Sequence, residues 1–209
     1  LDRVFRAKKS LSEMTFGVLG SPNVLINSEA DPDVLYKSIG IKTVEIPMDE
    51  VFESISKKEY PENEYTRMLL SLCADKSEME KSLYIYGGVK RLIEKYGFSG
   101  IALRCFDLLE PLKASGCIAL AILNAEGIYA ACEGDTRSLL SMAVLGEISG
   151  EPCFMANPSR LNTENSSMLF AHCTLPINMP SSFSLDTHFE SNMSIAVRGE
   201  FHQGDFTLF

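Results

Sequence analysis

The sequence predicts an α/β protein in which an open, doubly wound sheet domain is followed by a partial, β-rich antiparallel C-terminal domain. Strand-like and helix-like patterns alternate along about two-thirds of the chain, as in domains built from βαβ units. After residue 150, strand-like runs follow one another with no helix between them, which is typical of antiparallel structure. The 209 residues are 45% hydrophobic and 22% charged, so the chain can bury a large core.

The N-terminal part of the chain begins the alternation of strands and helices. A short apolar run closed by glycine predicts a strand, whereas an Asp-Pro-Asp start and a glycine stop predict a helix. In order, we expect a strand at Thr15–Leu19 closed by Gly20, a helix opened by Asp31-Pro32-Asp33 and ended at Gly40, a strand at Ile41–Ile46 and a helix at Met48–Lys58.

The middle of the chain continues the pattern with longer helices. We expect helices at Asn63–Cys73 and at Met79–Tyr96 with Gly97 as C-cap, a strand at Gly100–Leu103, a helix at Leu112–Leu123 stopped near Gly127, a strand at Ile128–Cys132, and a helix at Thr136–Gly150 capped by Thr136 or Asp135. We place a domain boundary near Glu126, with residues 1–126 as the α/β domain and residues 127–209 as the start of the β-rich domain.

Short β-type runs separated by prolines make up the rest of the chain. They lie at Cys153–Ala156, Ser167–Ala171, Ser194–Val197 and Phe206–Phe209. The chain begins at Leu1 rather than Met, and the last run stops at Phe209 without a turn or a cap. We therefore expect a fold that continues beyond this segment.

Charge and hydropathy exclude several classes of partner. The net charge of −9 argues against binding to a phosphate backbone, so we expect no nucleic acid. The basic residues near the N-terminus precede no long apolar run, which predicts neither a signal peptide nor a membrane span, and hence a cytoplasmic protein. The six cysteines form no C-x-x-C pair and mostly lie in apolar strings, so we expect buried thiols without disulfides or a zinc ribbon.

Acidic residues follow two predicted strands at their carboxyl ends. Cys132-Glu133-Gly134-Asp135 follows a buried strand and opens a helix, and Asp107 and Glu110 follow the preceding strand. Ligands of open α/β sheets bind at these strand ends, and hard divalent cations such as Mn²⁺ take carboxylate ligands. In the alternative interpretation Asp135 only caps the next helix, Glu133 is solvated, and the other two acids form a loop that faces water.

Two histidines and a glycine-containing turn are further candidates. His172 ends an apolar run and His188 lies in DTHFE, so either is a candidate ligand, proton shuttle or orienting residue, or else a hydrogen-bonded core residue. Gly17 and Gly20 lack the third glycine of a dinucleotide fingerprint, which leaves a nucleotide-binding oxidoreductase as a remote alternative. Ser21-Pro22-Asn23 is a candidate for contact with a substrate hydroxyl.

Several blocks of the sequence resemble the L-fucose isomerase-like and L-arabinose isomerase superfamily, in its central to C-terminal region. These blocks are ALRCFDLLE, ALAILNAEGIYAACEGDTRSLLSM, EPCFMANPSRLNTENSSMLFAHCTLP and THFESNMSIAVRGEF. The resemblance covers about Gly100 to Phe209, whereas Phe16 to Tyr96 is similar to the second α/β domain of these enzymes only in pattern. It implies that residues 127–209 begin the C-terminal isomerase domain.

The resemblance implies a metal-dependent aldose-ketose isomerase that acts on an open-chain pentose or hexose through an ene-diol. Mn²⁺, or another divalent cation, would be held by two carboxylates and a histidine. Glu133 and Asp135 match the motif that supplies a metal ligand and a catalytic carboxylate. The family's other acidic site residue falls at about the position of Asp107, with Glu110 as the alternative. The family's ligand histidine lies in a longer C-terminal segment, for which His172 and His188 are the internal substitutes. A trimer or hexamer is also implied, and the alternative is a non-catalytic relative that binds a carbohydrate or a subunit.

Overall fold

The computed structural model describes residues 2–22 and 29–209. Its elements, in chain order, are α1 Asp2–Ser12, β1 Thr15–Leu19, α2 Pro32–Ser38, β2 Lys42–Ile46, α3 Met48–Ser56, α4 Glu64–Leu72, α5 Lys76–Tyr96, β3 Gly100–Leu103, α6 Phe106–Leu112, α7 Cys117–Ala125, β4 Tyr129–Ala131, α8 Thr136–Ser149, β5 Asn157–Asn162, β6 Ser167–Ala171, β7 Ser182–Thr187 and β8 Ile195–Glu200.

The first four strands form one parallel sheet in the order β2-β1-β3-β4. The connection from β1 leads to β2 at one edge of this sheet, whereas the connections from β2 to β3 and from β3 to β4 lead towards the opposite edge. Because such crossovers are right-handed, the two directions place their helices on opposite faces. Helices α3, α5 and α7 pack together, and α1 packs on α8. The predicted open, doubly wound α/β sheet is therefore confirmed.

Local sequence signals fix the helix ends of this layer. The Asp31 side chain accepts hydrogen bonds from the first turn of α2, whose first residue is Pro32. Asn63 forms a capping box with Thr66 at the start of α4. Gly97 ends α5 with a left-handed φ of 68°, a conformation that costs glycine least.

Two antiparallel hairpins follow the parallel sheet and confirm the β-rich C-terminal part. β5 pairs with β6, and β7 pairs with β8. In β8, residues Ile195 to Val197 are buried, and this strand packs on α7 and α5. The β5–β6 hairpin instead exposes most of its residues on both strands. The second hairpin thus joins the main core, and the first lies mainly on the surface.

The structure differs from the sequence prediction in several elements. The helix expected at Leu112–Leu123 begins only at Cys117, and a separate helix, α6, ends at Leu112, because Lys113 adopts a left-handed φ of 50°. No strand forms at Cys153–Ala156 or at Phe206–Phe209, where the chain is irregular. The strand β7 was not expected, since its sequence SFSLDT is mostly polar and exposed.

The domain boundary near Glu126 stays a prediction. The strand and helix that follow it, β4 and α8, belong to the parallel sheet and pack against β3. Along residues 2–22 and 29–209, no helix combines the length and the apolar character needed to cross a bilayer.

Candidate active site

A cavity of about 620 Å³ lies at the carboxyl ends of β3 and β4. Cys105 and Phe106 reach it from the segment after β3, and Cys132 and Glu133 from the segment after β4. Both hairpins complete the wall, with Asn157, Ser159, Phe170 and Ala171 from the first hairpin and Asp186, Thr187, Ala196, Val197, Arg198 and Gly199 from the second. This end of a doubly wound sheet is where such folds bind ligands.

Glu133 enters the cavity from a strained turn. It directly follows the buried end of β4 and has a φ of 61°, in the left-handed region that non-glycine residues rarely occupy. The backbone N–H of Gly134 donates to the carbonyl of Leu103 at 3.0 Å, which ties this turn to the end of β3. Strain of this kind is concentrated at functional sites, because the surrounding structure must hold it.

His172 faces Glu133 across a short gap. Its Nε2 lies 3.7 Å from Oε1 of Glu133, and only 4% of the His172 side chain is exposed. Its Nδ1 lies 3.0 Å from the hydroxyl of Thr174, which fixes the orientation of the ring. Burial alone lowers the pKa of His172, but Cys173 and Glu133 outweigh that effect and raise the pKa to about 10. A cation could bind this ring only by displacing the proton that the raised pKa favours.

Thiols surround the second histidine of the cavity. His188, at the end of β7, is 4% exposed, and its Nδ1 lies 2.8 Å from the hydroxyl of Ser191. One ligand atom from each of Cys117, Cys173 and His188 lies within 4.8 Å of the others. All six cysteines of the chain are free thiols, and five of them are buried.

The remaining predicted site residues do not line the cavity. Asp135 caps α8, with its side chain bonded to Ser138. Asp107 forms an ion pair with Arg104 at 3.1 Å, and Glu110 is exposed on α6. Their predicted metal and catalytic roles stay predictions, whereas Glu133 and His172 are brought together.

The turn after β1 is tied to the segment after β3. The guanidinium of Arg104 donates to the Ser21 hydroxyl at 2.7 Å, so this hydroxyl is held by a protein partner. Asn23, the other polar residue of the predicted contact with a substrate hydroxyl, lies outside the described residues.

Glu133 and His172 supply only part of the ligand set that a hard cation needs. Glu133 and His172 offer one carboxylate and one imidazole, ligand types that Mn²⁺ accepts. The second carboxylate implied by the resemblance is not beside them in the described part of the chain, where the sole group of three or more metal-binding side chains is Cys117, Cys173 and His188. Sequence reasoning missed this group, because its members come from α7, the segment after β6 and the end of β7.

Fold and cavity together define an α/β protein with a cavity at the carboxyl ends of its central strands. Two curated proteins are similar in sequence, and both are named sulfoquinovose isomerase. The one from Alkalicoccus urumqiensis is 26% identical over 183 residues, which cover 83% of this chain and 41% of the relative. The one from Clostridium sp. (strain MSTE9) is 28% identical over 90 residues, or 43% of this chain and 20% of the relative.

The chain thus spans less than half the length of either relative that it matches. No family model matches the chain.

Proposed function

We propose that this chain carries part of the active site of an aldose-ketose isomerase that acts on an open-chain sugar. The observation that carries this proposal is the buried His172 imidazole 3.7 Å from the Glu133 carboxylate, within a cavity at the strand ends. The names of the two relatives support an isomerase and make sulfoquinovose the first sugar to test. The predicted trimer or hexamer and the cytoplasmic location belong to the same proposal.

Glu133 is the proposed base. Its carboxylate takes the proton from the carbon beside the sugar carbonyl, which leaves an ene-diol, and returns the proton to the neighbouring carbon. His172 holds this carboxylate in place, because its own ring is fixed by Thr174 and enclosed by the core. The left-handed backbone at Glu133 aims the side chain into the cavity rather than along the helix that follows.

Mn²⁺ or another divalent cation is the proposed cofactor, with Glu133 and His172 as the ligands from this chain. When bound, it would polarise the sugar carbonyl as a Lewis acid. A carboxylate has two oxygens, so Glu133 can bind a cation through one and accept a proton through the other. We infer that further ligands come from a neighbouring subunit.

Metal binding is tested by thermal unfolding with and without Mn²⁺. A cation that binds only the folded chain stabilises it by about 2.7 kcal/mol at 100 times its dissociation constant, and this raises the Tm. We expect this rise in the wild type and not in Glu133→Gln. The control is Asp107→Asn, which changes an acid outside the cavity and keeps the rise. An equal rise in Glu133→Gln, or none in the wild type, would overturn the assignment.

Proton transfer is tested in deuterium oxide with sulfoquinovose and Mn²⁺. An ene-diol path exchanges the transferred hydrogen with solvent, so deuterium enters the sugar beside the carbonyl. We expect this incorporation in the full-length parent protein and its loss in the parent's Glu133→Gln variant. Isomerisation without deuterium would point to hydride transfer and would remove Glu133 as the base.

The missing second carboxylate favours one other candidate function, a non-catalytic relative that binds a carbohydrate. This candidate predicts that sulfoquinovose raises the Tm of the chain while neither isomer nor exchanged deuterium forms, even in the full-length parent. The isomerase predicts both binding and exchange, so the two experiments together separate the candidates.

A further inference from the structure

Four thiols and two histidines converge beside the sugar cavity. Cys117 is the first residue of α7 and is 1% exposed, while Cys173 lies in the segment after β6 and His188 directly follows β7. One ligand atom from each lies within 4.8 Å of the others, which is the spacing of donors around a single ion. Cys132 is buried near this group, and the neighbouring Cys105 and Cys173 thiols raise the pKa of its thiol.

The donor set is soft. Thiolates select Zn²⁺ and Cu(I) over Mn²⁺ and Mg²⁺, which prefer oxygen. Two cysteines and one histidine leave a fourth tetrahedral position open. This chemistry is distinct from that of the Glu133 and His172 pair.

The surroundings of His188 also suit a ligand. Its Nδ1 lies 2.8 Å from the Ser191 hydroxyl and accepts the Ser191 backbone N–H at 3.3 Å. Binding through Nε2 requires the tautomer in which Nδ1 carries the proton and donates it to the Ser191 hydroxyl, as ligand histidines usually do towards a nearby oxygen.

We propose that Cys117, Cys173 and His188 form a binding site for a thiolate-preferring cation of the Zn²⁺ class. It has different ligands from the proposed Mn²⁺ site but adjoins it, because the Cys173 sulfur lies 3.7 Å from Nδ1 of His172. The site lies where α7 meets the two hairpins, so an ion there would join the parallel sheet layer to the β-rich part. No sequence motif marks it, because the ligands are far apart along the chain.

The experiment is a titration of the reduced chain with Co²⁺, which reports thiolate ligands by a charge-transfer band in the near ultraviolet, followed by displacement with Zn²⁺. We expect one Co²⁺ per chain with this band, and its loss in Cys117→Ser and Cys173→Ser. Cys153→Ser is the matched control, since Cys153 is buried outside the group and the variant keeps the band. Ser191→Ala keeps the band with about 10–100-fold weaker affinity.

The Co²⁺ spectrum of the wild type tests the proposed thiolate site even where a variant fails to fold. A wild type without a thiolate band, or a band that persists equally in both cysteine variants, overturns the proposal. Glu133→Gln keeps the Co²⁺ band if the two sites are separate, so failure of the isomerase proposal leaves this result unchanged.

Discussion

The carboxylate of Asp135 accepts two hydrogen bonds from Ser138, one from its backbone N–H at 2.8 Å and one from its hydroxyl at 2.7 Å. Both carboxylate oxygens are therefore used at the start of α8. We expect Asp135→Ala to lower the free energy of unfolding by about 1 kcal/mol through loss of this cap. Asparagine caps equally well, so Asp135→Asn should unfold at nearly the wild-type urea concentration. A large loss of Mn²⁺ binding in Asp135→Asn would instead assign this residue to the metal site.

Glu126 joins three elements through a half-buried polar network. Its carboxylate accepts hydrogen bonds from Tyr86 at 2.6 Å and Asn63 at 3.0 Å, and it pairs with Lys90 at 2.7 Å. In Glu126→Gln the amide leaves Lys90 without its counter-ion, so we expect a loss of about 1–3 kcal/mol in the free energy of unfolding. Urea unfolding measures it. Glu164→Gln, on the exposed β5–β6 turn, is the control and should change stability by less than about 0.5 kcal/mol.

Tyr86 makes stability depend on alkaline pH. Burial, followed by the hydrogen bond to Glu126, raises the pKa of this phenol above its ordinary value. The folded chain then keeps a proton that the unfolded chain loses above about pH 10, so this stabilisation is present below that pH and is lost above it. We expect the fall in unfolding free energy between about pH 9 and about pH 11 to be smaller in Tyr86→Phe. The same fall in both proteins would contradict this assignment.

Gly87 allows a loop to approach the middle of α5. A Cβ at this position would lie 1.9 Å from the carbonyl oxygen of Glu59, an oxygen that Arg91 also binds at 3.0 Å. Alanine gains about 1 kcal/mol over glycine from helix propensity alone, yet we expect Gly87→Ala to destabilise by about 1–3 kcal/mol because the backbone must move. Gly204→Ala, at a glycine with open space around it, is the control. A more stable Gly87→Ala protein would contradict the packing shown.

Glu133 should be costly to stability as well as important for function. Its left-handed φ of 61° costs a non-glycine residue about 1 kcal/mol or more. Glu133→Gly and Glu133→Gln both remove the carboxylate, but only the glycine variant relieves the backbone. We expect the glycine variant to be the more stable of the two in urea unfolding, although neither responds to Mn²⁺. Equal stability would indicate that the turn carries no strain.

Elements with local signals were predictable from the sequence. Thr15–Leu19 is a strand with the expected bounds, and Gly97 ends α5 as expected, because a glycine stop acts within one turn of chain. The break between α6 and α7 was not predictable, since Lys113 adopts a left-handed conformation that its residue type does not favour. β7 was missed because its alternation rests on only two apolar residues, Phe183 and Leu185, both of which are only partly buried.

The candidate site was predictable only where residues are neighbours in sequence. Glu133 follows a strand directly, and His172 came from an Ala-His element, so motif and resemblance found both. The thiol group needs the contact between α7 and two hairpins, and sequence spacing alone does not contain that tertiary contact. Asp107 and Glu110 were chosen by position along the chain, which does not specify that Arg104 pairs with Asp107.

The two hairpins that enclose the cavity are anchored unequally. The buried hydroxyl of Ser194, next to β8, lies 3.2 Å from the buried hydroxyl of Ser82 on α5, so opening of β8 requires disruption of the central core. The β5–β6 hairpin has no comparable attachment among the described residues, and its amides can exchange with solvent through local opening alone. The cavity wall formed by the β7–β8 hairpin therefore opens much more rarely than the wall formed by the β5–β6 hairpin.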